Sequence, residues 1–326
     1  MDYTTLGRTG LKVSVAGLGC GGFSRLGLSH GKTEAEAADI VRTALDLGVN
    51  YLDTAEAYET EGAVGLGIGG RDRGTLVIAT KGRVHRRDEL YSANQIAQNV
   101  DASLKRLNTD YIDVYQPHAP RPENFDHLME VVLPVLLRAR ESGKIRHIGL
   151  TESGDDIHHR LLLRATAHAE FEVMLLAFHM MHQNACHELL PRLQAEQTGA
   201  VGMYAVRNIF ARGEALRAKV RELCAAGQLP AELDGKENPL DFLVHEGGAE
   251  TVADAAYRFV RHQAGMNVVV FGTGNPRHVH SNVASIMKPP LPVEDVEKIH
   301  ALFGHLVGVG LDATPRATNR EPPKVP

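Results

Sequence analysis

Eight short apolar runs recur along this chain, and a stretch with helical spacing follows almost every one. They fall at residues 15–18, 51–53, 76–81, 112–115, 146–150, 172–177, 201–206 and 268–271. Strand alternating with helix is the mark of a parallel α/β sheet, because parallel strands need a crossover about as long as a helix. Eight such units running one way favour closure into a (β/α)8 TIM barrel over an open sheet. The length, 326 residues, suits one barrel.

Local signals place the helices. Thr33-x-x-Glu36 and Ser92-x-x-Gln95 are capping boxes, in which a side chain at each position bonds the other's backbone N–H. The first opens a stripe of Ala37, Ile40, Val41, Ala44 and Leu45, the second a stripe of Ile96, Val100, Leu104 and Leu107. The helix after the second run is expected to be weak, because Gly65, Gly67, Gly69 and Gly70 interrupt it. Pro134 predicts a kink or a second segment within 125–142. Further helices are expected over 157–169, 187–196 and 251–263. A hairpin over 4–14, turning at Gly7-Arg8-Thr9-Gly10, precedes the barrel. The connection 207–248 after strand 7 is long and carries its own helix over 213–226, and long loops in compact domains are usually functional. The expected organisation is one barrel domain over 1–310 and a polar, Pro-rich, mobile tail over 311–326.

Composition removes several classes. A net charge of −5 provides no basic field for nucleic acid or anionic lipid. Cys20, Cys186 and Cys224 cannot all pair within the chain, which points to a reducing, cytoplasmic compartment. No run has signal-peptide or membrane-span character. Oligomeric state is not legible.

Four polar residues follow strand-like runs: Asp53 and Tyr58 after the second, Lys81 at the end of the third, and His118 after the fourth. The C-terminal ends of barrel strands are where this architecture keeps its chemistry. Free tyrosine, with a pKa near ~10, is a poor proton donor at neutral pH. An adjacent ammonium is expected to lower that pKa, and a carboxylate keeps the ammonium charged and aimed. Tyr58 can then protonate a carbonyl oxygen while neutral His118 donates an N–H to the same atom. No side chain delivers hydride, so a cofactor must. Singly, these residues read as a rim ion pair, a packed aromatic and a strand-end histidine; together they point to catalysis.

Two glycine runs, 17–22 and 65–70, are rejected as dinucleotide fingerprints. Neither has strand, turn and helix in that order. His179-x-x-His182-x-x-x-Cys186-His187 lacks a carboxylate or fourth soft ligand at useful spacing, so no metal is expected.

The pattern Asp53-Thr-Ala-Glu-Ala-Tyr58, then Lys81, then Pro117-His118, resembles the aldo-keto reductase family. So do the opening 6–14 and the run 143–149, and the resemblance extends over about residues 1–305. It implies a barrel that binds a nicotinamide nucleotide without a Rossmann domain, and a small carbonyl substrate or the matching alcohol. Gly21, Gly22 and Phe23 would line the cleft. Thr151 and Glu152 stand where the family has Ser-Asn, Leu175 where it has Gln, and Val206 where it has an aromatic that stacks on the nicotinamide. Arg207 would lie near the pyrophosphate or cover the nicotinamide. Gly272, Thr273, Gly274, Arg277, His278 and Asn282 would meet the adenosine end, with a phosphate at the following helix N-terminus. NADP is expected ahead of NAD. The departures at Glu152, Leu175 and Val206 keep a rival open: a nucleotide-binding module with little turnover. A metal-dependent barrel isomerase is a poorer rival, because no carboxylate–histidine cluster stands at the strand ends.

Overall fold

The computed structural model describes residues 1–311; positions 312–326 of the expected mobile tail lie outside the described residues. An antiparallel hairpin of β1 (Tyr3–Thr5) and β2 (Lys12–Ser14) opens the chain. Barrel strands β3 (Ala16–Gly19), β4 (Tyr51–Asp53) and β5 (Val77–Arg83) follow, then a small hairpin of β6 (His85–Arg86) and β7 (Glu89–Leu90). Strands β8 (Ile112–His118), β9 (Ile145–Thr151), β10 (Phe171–Ala177), β11 (Gly199–Met203) and β12 (Val268–Phe271) complete the barrel, which closes where β12 pairs with β3. All eight barrel strands are parallel.

The helices are α1 (Glu34–Asp46), α2 (Glu61–Gly67), α3 (Ala93–Leu107), α4 (Phe125–His127), α5 (Leu133–Glu141), α6 (Arg160–Ala165) and α7 (Leu189–Ala195). Then come α8 (Asn208–Ala211) and α9 (Gly213–Ala225) in the long connection, α10 (Val252–Arg261), α11 (Pro276–Ile286) and α12 (Val293–Phe303). Both capping boxes form, at Thr33 and Ser92. Pro134 follows a π-helical turn, 128–132, through which α4 runs on into α5, and a widened turn of this kind is where a helix accommodates a proline.

Three features differ from the sequence reading. Helix α2 forms despite its glycines, because those glycines let it press on its neighbours. A Cβ at Gly65 would lie 2.7 Å from the Leu107 carbonyl oxygen, and one at Gly67 2.6 Å from Val41 Cβ. Close packing outweighs weak propensity here. Strand β11 stops at Met203, where Tyr204 turns the chain with a left-handed φ of 72°. Helix α12 was not anticipated.

The lower part of the barrel interior is apolar, and polar side chains enter it at the mouth with Asp53, Lys81 and Gln116. Leu6, Leu11 and Val13 of the hairpin plug the floor and pack on Tyr51, Val77, Val114, Val173, Val201 and Val268. Asp113 is fully buried at the same end, accepting from Arg73 at 2.6 Å, Arg146 at 2.9 Å and the Ile78 N–H at 2.9 Å. With the floor closed, the opposite mouth is the open end of the barrel among the described residues. No helix among the described residues is long and apolar enough to cross a membrane.

Candidate active site

Parallel register carries the four polar residues to that mouth. Asp53 ends β4 opposite Gly19 and Ala79, Lys81 pairs across to Gln116, and Arg83 pairs to His118. The Lys81 ammonium is fully buried, donating to Asp53 Oδ1 at 2.6 Å and to the Thr54 carbonyl at 2.8 Å. Its nitrogen lies 4.8 Å from the Tyr58 ring centroid. Tyr58 closes a short 3-10 turn, pinned by Arg25 Nε donating to its carbonyl at 2.6 Å. The Tyr58 and His118 rings meet edge to face, centroids 5.4 Å apart. Gly21 is required beside them, since a Cβ there would sit 2.6 Å from the Tyr58 ring. All four residues converge.

Burial sets their protonation. The His118 imidazole is pushed down to about 3 by burial and by the cations of Lys81 and Arg83, so it is neutral over the working pH range. Burial, then Asp53, pushes the Tyr58 phenol well above its ordinary value. That corrects the expectation of a depressed phenol. The ammonium lies over the ring, and its two hydrogen bonds go to Asp53 and Thr54. Tyr58 therefore rests as a protonated acid. Burial likewise pushes the Asp53 carboxyl up, against the pull of Lys81.

A cleft of about 480 Å³ runs from this cluster to the start of α11, a size typical of small-molecule sites. Asp53 and Tyr58 line one end; Gly272, Thr273, His278 and Asn282 line the other. Gly21, Gly22, Phe23 and Arg207 lie along its walls. The glycines form a cradle. Gly22 has a φ of 70° with nothing near its Cβ position, and a Cβ at Gly272 would lie 3.3 Å from the Gly19 oxygen.

Lys81 and His118 stand behind Tyr58 rather than on the cleft wall, and four residues expected to bind the cofactor are also off it. Thr151 is buried, its hydroxyl accepting from the Ala119 N–H at 3.0 Å. The Glu152 carboxylate is turned inward, accepting from the Ala177 N–H at 2.6 Å and meeting His159 Nδ1 at 2.7 Å. It is thus engaged away from any carboxamide. Gly274 packs against Gly27, 2.6 Å from where its Cβ would be. Arg277 is exposed on the first turn of α11. That turn caps itself: Asn275 Oδ1 accepts from the Arg277 N–H and Thr273 Oγ1 from the Asn275 N–H, both at 3.0 Å. A phosphate there would meet side chains rather than a bare helix end.

Tyr204 was missed by sequence reasoning. It lines the cleft beside Leu175, Met203 and Val206 and supplies the aromatic face that Val206 lacks. The signal was present: an aromatic one residue beyond the true end of β11. The Arg207 guanidinium carbon lies 4.2 Å from the Tyr204 ring centroid and 5.0 Å from that of Phe23.

The histidine run folds into a buried cluster. His179 and His182 face each other, their Nδ1 atoms accepting from the Met181 and Gly308 N–H groups. No group of three or more His, Cys, Asp or Glu among the described residues is placed to hold a metal.

A model of the Aldo/keto reductase family matches residues 17–303. The chain is 30% identical to an L-galactose dehydrogenase of Arabidopsis thaliana over 207 residues, 62% of this chain and 64% of that one. It is 37% identical to the aldo-keto reductase YhdN of Bacillus subtilis over 161 residues, 46% and 47% of the two chains. It is 35% identical to a 6-dehydroglucose reductase of Novosphingobium aromaticivorans over 170 residues, 47% and 52% of the two. The chain thus spans about half to two thirds of the length of these curated relatives. A solved aldo-keto reductase from Bacillus halodurans superposes with a TM-score of 0.72 at 24% identity, covering 93% of this chain and 96% of that one. It shares the barrel fold.

Proposed function

The chain belongs to the aldo-keto reductase family, and from this premise we propose that it is a nicotinamide-dependent oxidoreductase acting on an aldehyde or ketone, or on the matching alcohol. One observation carries the reading: a protonated Tyr58, backed by the Lys81–Asp53 pair and edged by neutral His118, opens onto a cleft of about 480 Å³ that reaches the start of α11. The cradle at Gly21, Gly22 and Gly272, with Tyr204 as an aromatic face, suits a nucleotide. Arg277 and His278 favour NADP over NAD by offering charge and hydrogen bonds to an extra phosphate.

When bound, the reduced nucleotide would supply the hydride. The protein's own residues do the rest. Tyr58 and His118 hold the carbonyl oxygen between two donors, which polarises the bond and fixes the reacting face. Tyr58 gives its proton as charge develops on that oxygen. The Lys81 ammonium, 4.8 Å from the ring centroid, stabilises the phenolate left behind. Asp53 keeps the lysine charged inside the barrel. The inward turn of Glu152 favours the rival reading, a nucleotide-binding module with little turnover, because it removes a partner for the carboxamide.

The test is Tyr58→Phe, which keeps the ring and removes the O–H. Reduction of carbonyl substrates should fall by about 10²–10⁴-fold, with NADPH affinity nearly unchanged. The panel should include sugar aldehydes, since two relatives are named for L-galactose and 6-dehydroglucose. Equal turnover by wild type and variant on every carbonyl would sink the reading.

A further inference from the structure

We propose that Gln116 is a positioning residue for the Lys81–Asp53 pair: in the working site its buried side-chain amide donates to the Asp53 carboxylate and keeps it the partner of the ammonium. The inference rests on the oxidoreductase reading above and extends it to a residue outside the cluster of four. Gln116 lies on β8, in register with Lys81 on β5 and two residues before His118. Side chains alternate along a strand. Val114, Ala79 and Tyr51 belong to the apolar packing inside the barrel. Gln116, Lys81 and Asp53 each stand two residues further on, so all three point inward, one layer above it.

Gln116 is fully buried. A Cβ at Gly149 on β9 would lie 2.8 Å from its Cγ, so the glycine leaves room for the longer side chain. Its Nε2 and Oε1 have no well-formed hydrogen bond among the described residues, and neither has Asp53 Oδ2. Buried polar atoms without partners are costly, and an apolar side chain would fill this place without that cost. The amide is nevertheless close enough to act on Asp53. Burial pushes the Asp53 carboxyl up, and Lys81 and then Gln116 pull it back. Catalytic hydrogen bonds are often loose before substrate binds and tighten in the working complex.

An amide N–H favours the ionised carboxylate over the neutral acid. Without it, Asp53 takes up a proton from water at a higher pH. A protonated Asp53 no longer holds the Lys81 ammonium in place beside Tyr58, and the phenolate that forms there loses its support. Cys20, Tyr51, Tyr58 and Tyr204, which also feel the Asp53 charge, are held protonated by burial, and His118 is neutral. None of them titrates in place of Asp53 near neutral pH.

Gln116→Met and Gln116→Leu remove the amide and keep an apolar side chain of similar size. Infrared titration of the full chain follows the Asp53 carboxyl without measuring turnover, its band identified by loss in Asp53→Asn. In both variants the protonated band should appear at a pH higher by about one to two units. The acid limb of kcat for carbonyl reduction should move up with it. On that limb kcat should fall about tenfold or more, and it should approach wild type as pH rises, because a carboxyl with a raised pKa is ionised only at higher pH. NADPH affinity should stay unchanged, since Gln116 is not on the cleft wall. The melting temperature should hold or rise, since a buried unpaired amide is gone. An unshifted band in both variants overturns the proposal, whatever the turnover. A kcat loss equal at every pH also overturns it, as does a lower melting temperature with the pH profile in place, which assigns Gln116 to packing. A shifted band in a chain whose wild type reduces no carbonyl upholds the hold of Gln116 on Asp53 and overturns the oxidoreductase reading instead.

Discussion

The two ends of this barrel each bury a carboxylate among cations, and they do it differently. At the floor, Asp113 is fully buried, with both oxygens engaged by Arg73, Arg146 and the Ile78 N–H. Both arginines reach water, their side chains 21% and 47% exposed. At the mouth, Asp53 Oδ1 holds a fully buried lysine, while Oδ2 has no hydrogen-bond partner among the described residues. The mouth also collects left-handed residues, among them Arg25, Leu26, Glu59, Ala119 and Tyr204. Left-handed backbone at non-glycine residues costs energy and persists where the surroundings enforce it. One end is satisfied and closes the fold, whereas the other stays incompletely satisfied and open for chemistry.

Breaking one carboxylate system at a time separates these roles. Lys81→Met should cut carbonyl reduction by about 10²–10⁴-fold, because the phenolate left on Tyr58 loses its cation. Burial pushes the Asp53 carboxyl up, so once the lysine is gone it can take up a proton and shed its charge, which limits the cost in stability. Asp113→Ala should do the reverse. It leaves the buried Ile78 N–H without its acceptor, at about 1–3 kcal/mol, while turnover per folded molecule stays near wild type. Denaturant melts and kcat on the same samples check both. If Asp113→Ala abolished turnover in folded protein, the division of labour between the ends would be wrong.

The strands and most of the helices were more legible in the sequence than the loops of the mouth. Capping boxes at Thr33 and Ser92, the hairpin turn and the apolar runs are local signals, and local physics read them correctly. The convergence of Asp53, Tyr58, Lys81 and His118 followed from their place at strand ends. What failed depended on contacts distant in sequence. The glycines of α2 looked like breakers until α1 and α3 were seen against them. Tyr204 was overlooked because β11 ends where the chain turns left-handed, which no apolar run announces. Glu152 was assigned to the cleft, but its partner His159 lies seven residues on and draws the carboxylate inward. The phenol of Tyr58 was expected to be depressed by Lys81, and burial reverses that.

A pH series sharpens the comparison with a smaller effect. Burial holds His179 well below its ordinary value and His182 down to about 3, so both are neutral in the folded protein. Unfolded histidines take up protons near pH ~6.5. A depressed folded pKa gives stability that is complete above that pH. It is lost as pH falls from there toward about 3, by at most ~1.4 kcal/mol per pH unit for each group. Melting temperature should therefore drop on acidification below about pH 6.5. His182→Gln should flatten that slope. His118 is held near 3 as well, so wild-type kcat should show no His118 break between pH 5 and pH 7. A kcat step near pH ~6.5 that disappears in His118→Gln would show that His118 titrates in the working enzyme.

The smallest expected effect lies farthest from Tyr58, at the α11 end of the cleft, where the adenosine of the proposed nucleotide would lie. His278 lines that end, and exposed Arg277 precedes it on the first turn of α11. The turn's own N–H groups are taken by Asn275 and Thr273, so a 2′-phosphate would have to find its partners among side chains. Exposed charge pairs are each worth at most about 1 kcal/mol. Replacing both residues by alanine should therefore weaken NADPH by roughly three- to tenfold, given a tenfold change per ~1.4 kcal/mol. NADH, which lacks that phosphate, should hardly respond. Neither kcat nor the melting temperature should move, because the two side chains touch neither Tyr58 nor the barrel core. Raising the salt concentration should erode the NADPH advantage in wild type and leave the double variant unaffected, since only a screened surface attraction is being removed. Equal loss of NADPH and NADH would place the phosphate elsewhere along the cleft, with buried Arg207 the next residue to test.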